Sequence, residues 1–251
     1  MEEIHLLGAC HVAPLDLAGA IARIAERPPG QPLAFVVSLN AQILILTTLP
    51  ESGLGAPMAA AWLRLNDSRV VARLHRWATG QSVPLAAGSD ITQHLLETAI
   101  QPDDPITIIG GGPELVPALV ARFGLTCVAQ HEPPMGYISQ PEAREAAIRF
   151  AQSHPARFLF IATGAPRSEI LMTEIQARGG VTGVGLCVGS GLLFAVGLTR
   201  RAPAWMRSAG LEWLHRAWTD PWRLGRRYAS DLPALLRLAW RARRQSRAGH
   251  G

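Results

Sequence analysis

The run ITIIGGGPELVPALVARF, residues 106–123, decides the fold class. Its first four residues are β-branched, three of them apolar, as in a strand buried on both faces. Gly110, Gly111 and Gly112 then permit a tight turn, Pro113 suits the first turn of a helix, and the residues from Glu114 carry helical spacing. A strand, a glycine turn and a helix make one half of a βαβ unit. Outward from this point the alternation recurs, with short apolar strands at 34–37, 127–128, 158–162 and 181–186. Between them run helical patterns at 15–25, 89–100, 114–123, 141–152 and 166–178. This order predicts an α/β fold with a mainly parallel sheet and flanking helices.

A chain of 251 residues with 48% hydrophobic and 17% charged residues is globular, which excludes disordered and collagenous classes. All 24 cationic side chains are arginine; 19 acids leave a net charge of +5. The charge is unevenly spread. From Arg200 onward 12 arginines face Glu212, Asp220 and Asp231, a net +9, and residues 1–199 carry −4. Five of the seven tryptophans lie in the same tail: Trp205, Trp213, Trp218, Trp222 and Trp240. Composition therefore divides the chain into a body, 1–199, and a helical appendage, 200–251.

The appendage reads as helices broken at Pro203, Pro221 and Pro233. Leu211, Leu214 and Trp218 share one face; Leu232, Leu235, Leu236, Leu238 and Ala239 supply a second apolar stripe. Two readings fit. It is a cap packed on the sheet with a solvated arginine face, or a cap that docks on an anionic lipid surface and brings arginines to a phosphate. Nucleic acid is a poor partner, because the arginines alternate with a Leu/Trp stripe that an RNA surface would not use.

Cys10, Cys127 and Cys187 have neither disulfide-framework nor zinc spacing, which fits a reducing, cytoplasmic compartment. The opening MEEIHLLGAC has acids where a secretory signal needs positive charge. Two uncharged stretches are long enough to weigh as membrane spans, 28–50 and 179–199; the first contains Pro28, Pro29, Pro32 and Asn40 and the second seven glycines, so both read as strand, loop and helix inside a core.

In parallel sheets ligands gather where strand ends meet helix starts. Four segments fall there: Ser38-Leu39-Asn40, Ala87-Gly88-Ser89-Asp90, Gly110-Gly111-Gly112-Pro113 and Thr163-Gly164-Ala165-Pro166. The nearby acids are Asp67, Asp90 and Glu169. One carboxylate in such a cleft can deprotonate a sugar hydroxyl that attacks an activated anomeric carbon, a single-base scheme that inverts configuration. No DxD occurs, so the common way of holding a divalent ion on a nucleotide-sugar diphosphate is missing; no metal or cofactor is expected, and arginines would neutralise the leaving group.

The order and spacing of these motifs resemble the WecG/TagA/CpsF family of inverting glycosyltransferases, family 26, over nearly the whole chain. The family's T-P-N-A-E loop is matched by Ser38-Leu39-Asn40-Ala41-Gln42. The Asp of its P-D-G segment and the Asp of its T-G-S-D loop, 23 residues apart, are matched by Asp67 and Asp90. Its G-G loop is matched at Gly110 to Gly112, and G-A-P-K-Q-E by Gly164-Ala165-Pro166-Arg167-Ser168-Glu169. The most specific match is R-A-P-x-W-M…G-L-E-W-L-x-R…P-x-R-x-x-R, present as RAPAWM at 201–206, GLEWLHR at 210–216 and PWRLGR at 221–226.

The resemblance implies a Rossmann-like domain with a membrane-docking appendage. It implies a UDP-sugar donor, a polyprenyl-diphosphate-linked saccharide acceptor, and a place at the cytoplasmic face of the plasma membrane in surface or exopolysaccharide synthesis. Asp67 becomes the catalytic base; the substrate contacts become Ser38, Asn40, Gly88, Ser89, Asp90, Gly111, Gly112, Gly164, Ala165, Pro166 and Ser168. Arg216, Arg223 and Arg226 would close over the diphosphate, leaving Arg237, Arg241, Arg243, Arg244 and Arg247 for lipid headgroups. Local chemistry offers competitors: Asn66-Asp67-Ser68 could cap a helix from Arg69, Asn40 could cap the helix after its strand, and the three arginines could be a solvated face.

Three departures stand out. An arginine five residues before the Asp of the T-G-S-D loop is Leu85 here, the Gln of G-A-P-K-Q-E is Ser168, and the Phe-Asp after the late G-G is Leu192-Leu193. Arg69 or Arg73 could replace the missing charge. The changes point to a different sugar, such as glucose or a related hexose, or to a degenerate enzyme. A non-catalytic nucleotide-sugar-binding subunit of an assembly complex is the competing reading, and a homo-oligomer is compatible with either.

Overall fold

The computed structural model describes residues 2–248, without the side chains of residues 223 and 224. Strands β1 (Ile4–Leu6) and β2 (Cys10–Val12) form an antiparallel hairpin. Strands β3 (Ala34–Leu39), β4 (Leu63–Asn66), β5 (Ile106–Ile109), β6 (Val128–His131), β7 (Phe158–Ile161) and β8 (Val184–Cys187) form a six-stranded sheet in the order β4-β3-β8-β7-β5-β6. All five pairings are parallel. The α/β, Rossmann-like class expected from the sequence is the class observed.

Burial explains which strands were legible. β5 and β7 are buried at every residue and β3 at all but Ser38, so they read as unbroken apolar runs. β4 is an edge strand, and the sequence reading missed it. Leu63 and Leu65 face one layer; Arg64 points the other way, donating to the carbonyls of His11, Met58 and Ala61 and pairing with Glu3 at 2.7 Å. β6, the opposite edge, starts one residue later and runs three further than expected; all four residues are half-buried.

Each sheet face carries a helical layer. Phe35, Val37, Leu39, Leu159 and Ile161 pack with residues of the helices Ala41–Leu46, Arg69–Thr79, Pro141–Ser153 and Arg167–Arg178. Val36, Ile108, Phe160 and Leu186 pack with residues of Leu17–Ala25, Gly88–His94, Leu115–Phe123 and Gly191–Ala195. The segment expected as one helix over 89–100 is Gly88–His94 followed by a wider π-type turn, Leu95–Ala99. Both stretches weighed as membrane spans are a strand, loop and helix: β3 and Ala41–Leu46 in the first, β8 and Gly191–Ala195 in the second. Among the described residues no helix is long and apolar enough to cross a membrane.

The appendage differs from its sequence reading at one proline. Helix Arg226–Ala248 runs through Pro233 instead of breaking there. Proline costs the helix a backbone donor, but Leu235, Leu238, Ala239 and Ala242 form a buried seam that holds the turns after it. That seam belongs to the same core as Phe35 and Val71. Residue 200 is therefore a boundary of composition and not of the core. Helices Ala204–Ala209 and Glu212–Thr219 contain no buried residue and reach the body through Arg207 to Asp90 and Arg216 over Phe194.

Candidate active site

The site forms where β4 and β3 end. Asn66, the last residue of β4, is 1% exposed and binds three ways: its Nδ2 donates to the Pro84 carbonyl at 3.0 Å, its Oδ1 accepts from Ser68 N, and its carbonyl accepts from Ala86 N. These bonds fold residues 84–86 back against the strand end. Asp90, 23 residues beyond Asp67 in sequence, is thereby brought beside it. Asp67 itself donates its N–H to the Leu39 carbonyl at 2.9 Å, fixing it to the end of β3.

The helix Arg69–Thr79 is capped by Ser68, whose Oγ accepts from Val71 N at 3.2 Å. Asp67 is thus not the cap, and its carboxyl is left to the cleft. Burial pushes that carboxyl up to about 7; the Glu212 and Asp90 charges add to the rise, and Arg216 and Arg201 oppose it. A carboxyl poised there exchanges a proton near neutrality, as a general base must.

The appendage supplies the charge around it. Arg201 Nη1 donates to Asp90 Oδ1, and Arg207 Nη1 lies 3.6 Å from the same oxygen. Arg216 pairs with Glu212 at 2.9 Å and lies over the Phe194 ring, 5.1 Å from its centre. Arg73 donates to the Ala209 carbonyl at 2.7 Å, which fastens the appendage turn to the body. The sequence profile of the glycosyl transferase WecG/TagA/CpsF family matches residues 4–249. The chain belongs to that family. It is glycosyltransferase family 26, whose members transfer sugars in cell-surface polysaccharide synthesis, in general from a nucleotide-sugar donor to a lipid-linked acceptor.

The WecG/TagA/CpsF motifs distribute unevenly around this point. Ser38 and Gly88 are in contact: a Cβ on Gly88 would sit 2.7 Å from Ser38 Oγ, so only glycine lets the helix start approach the strand end. With Cys187 they line one small pocket. Asn40 caps the helix Ala41–Leu46, its Oδ1 accepting from Ile43 N at 3.0 Å. Ser89 is half-buried in the first turn of the helix that carries Asp90. Asp90, expected to touch substrate, is occupied by Arg201 and Arg207.

Two motifs lie farther off. Between β4 and β5 stand β3, β8 and β7, so at about 4.8 Å per strand the Gly110–Gly112 turn begins about 19 Å across the sheet from Asp67. The Gly112 N–H, expected to face a phosphate, donates to Glu132 Oε2 at 2.8 Å. Thr163 to Pro166 follow β7, one strand nearer. Ser168 is 1% exposed, its Oγ 3.2 Å from Thr163 Oγ1 and donating to the Ile161 carbonyl, so it shapes the Thr163 turn from inside. Tyr137 OH bonds the same threonine at 2.9 Å.

Glu169 is 3% exposed, and burial pushes it to about 7 as well. Its Oε2 has no partner among the described residues. Of the three expected clamp arginines, Arg216 is at the site, Arg226 is exposed at the start of the terminal helix, and the side chain of Arg223 lies outside the described residues. Arg201, Arg207, Glu212 and Asn66 were assigned no role from sequence. Arg201 and Glu212 lie inside quoted family motifs, Asn66 entered only as capping chemistry, and Arg207 carried no signal.

Proposed function

We propose that the protein is an inverting, metal-independent glycosyltransferase that moves a sugar from a UDP-sugar to a hydroxyl of a polyprenyl-diphosphate-linked saccharide in exopolysaccharide or surface polysaccharide assembly. One observation carries this reading: Asp67 is a half-buried carboxyl, free of capping, with its proton affinity set near neutrality beneath the arginines of the appendage. The Asp67 carboxylate takes the proton of the acceptor hydroxyl as that oxygen attacks the anomeric carbon. The bond from that carbon to the donor diphosphate breaks, and UDP leaves with the bonding electrons. Attack opposite the leaving group inverts the centre. Arginine side chains stabilise the charge that develops on the diphosphate, and the absence of a DxD motif from the sequence is the support for a reaction without a metal ion.

Membrane association at the cytoplasmic face belongs to the same reading. Trp205, Trp213, Trp218 and Trp222 are exposed on the segment that covers Asp67, and an interfacial position suits exposed indoles beside arginines. A lipid-linked acceptor would then meet the site from the bilayer side.

Transfer of radiolabelled sugar from a panel of UDP-sugars to a polyprenyl-diphosphate-linked acceptor tests the reaction. Asp67→Asn should lower the rate by about 10²–10⁴-fold with an unchanged circular dichroism spectrum. Wild-type activity should fall as the pH drops through about 7, because the protonated carboxyl accepts nothing. Full transfer by folded Asp67→Asn would remove the base from the scheme.

A further inference from the structure

We propose that Arg201 and Arg207 form the anion subsite for the donor's diphosphate, with the Asp90 carboxylate as the resident anion that holds both guanidinium groups in place until the donor arrives. The identity of the ligand rests on the glycosyl-transfer reading; the anion chemistry does not.

The geometry is convergent. Two arginines, six residues apart on either side of Pro203, meet at one oxygen, Asp90 Oδ1. Two cations on one carboxylate leave an excess positive charge. The Nε–H of each is buried and without a partner among the described residues. A buried guanidinium donor left unpaired is costly, and an arriving oxyanion would relieve it, since the fork of N–H groups matches phosphate oxygens two at a time.

Two neighbouring cations are spoken for. Arg216 is neutralised by Glu212 at 2.9 Å, and Arg73 is committed to the Ala209 carbonyl. The Arg201 and Asp90 charges both act on Asp67, so these two groups stand near the base, and Arg207 joins them through Asp90. An anion bound there would lie beside the reacting centre, where a leaving diphosphate must be. Asp90 in this arrangement is a positioning residue: it presents the arginines and touches no substrate.

Inorganic pyrophosphate, titrated calorimetrically into the full chain, tests the subsite without needing a sugar or a nucleoside. Arg201→Gln and Arg207→Gln should each weaken binding about tenfold or more. Arg122→Gln, on the helix Leu115–Phe123, should not. Asp90→Asn, which removes the competing charge, should bind pyrophosphate as tightly as the wild type or more tightly. If Asp90→Asn weakens binding as much as Arg201→Gln does, the three residues are only a latch and the proposal fails. It fails equally if both arginine variants bind like the wild type. Should Arg201→Gln not fold, Arg201→Lys, which keeps the charge and loses the fork, must weaken binding in its place. Arginine-dependent pyrophosphate binding in a protein that transfers no sugar would keep the subsite and overturn the glycosyl-transfer reading. Sugar transfer with arginine-independent binding would do the reverse.

Discussion

Residues 200–225 and 226–248 share an arginine-rich composition, yet they meet the body in opposite ways. In the first segment Arg201, Arg207 and Arg216 turn onto Asp90 and Glu212, and the helices Ala204–Ala209 and Glu212–Thr219 bury no residue. In the second, Leu235, Leu238, Ala239 and Ala242 enter the core, and Arg237, Arg241, Arg244 and Arg247 are exposed. What separates them is the partner each side chain finds. Net charge adds the two segments together and conceals that one completes a site and the other a fold.

The sharpest way to break this comparison is to exchange the expected costs. Leu235→Ala should destabilise the protein by about 2–5 kcal/mol, because it leaves a cavity in a seam shared with the sheet. Arg237→Gln, two residues away and exposed, should change stability by less than about 0.5 kcal/mol. Denaturant unfolding measures both. A Leu235→Ala protein as stable as the wild type would mean that the terminal helix is a loosely attached arm.

Arg216→Gln should have the next largest effect, and on chemistry instead of stability. Because Arg216 is paired with Glu212 at 2.9 Å, its loss should act through the charge around Asp67 and not through the diphosphate. The variant removes a cation that lowers the proton affinity of Asp67 and frees the Glu212 charge that raises it. The acid limb of the rate profile must therefore move to higher pH. Arg237→Gln should leave that limb where it is, and a matching shift in both variants would mean that net charge, and not position, governs the base.

Much of the fold was legible because the central strands are buried on both faces and leave unbroken apolar runs. β4 was not, although it ends at Asp67: Arg64 interrupts its apolar pattern, and its reason for being there is a set of carbonyls 3 to 53 residues away in sequence. The site was half legible. Asp67 and Asp90 stood out through a spacing, and the physical cause of that spacing is Asn66, which folds the chain back through Pro84 and Ala86. Arg207 could not be singled out, since only the folded appendage shows that it meets Asp90, whereas Glu212 and Arg216 stand four apart on one helix, a spacing the sequence already holds. The Gly110–Gly112 turn is the converse case: the clearest local motif in the chain lies about four strand spacings from the base. Strand order, which no local pattern encodes, decides what is near what.

The smallest expected effect concerns the membrane, where the two segments compete for the same role. Trp218 and Trp222 are each 86% exposed, so their indoles can enter a lipid interface without uncovering anything. Trp240 is less available: it stands edge-on to Trp77 at 5.5 Å, and Arg243 lies 4.2 Å over that same Trp77 ring. Sedimentation with anionic vesicles should show Trp218→Ala and Trp222→Ala each losing a few-fold in partitioning, and Trp240→Ala less. The terminal arginines should add a contribution that fades with salt, since exposed charges act over about 8–10 Å at physiological ionic strength. If vesicle binding instead survives loss of both Trp218 and Trp222 and disappears with Arg237→Gln and Arg241→Gln together, the terminal helix is the docking face. The segment over Asp67 would then be a cover for the site alone, its tryptophans exposed for some purpose other than lipid.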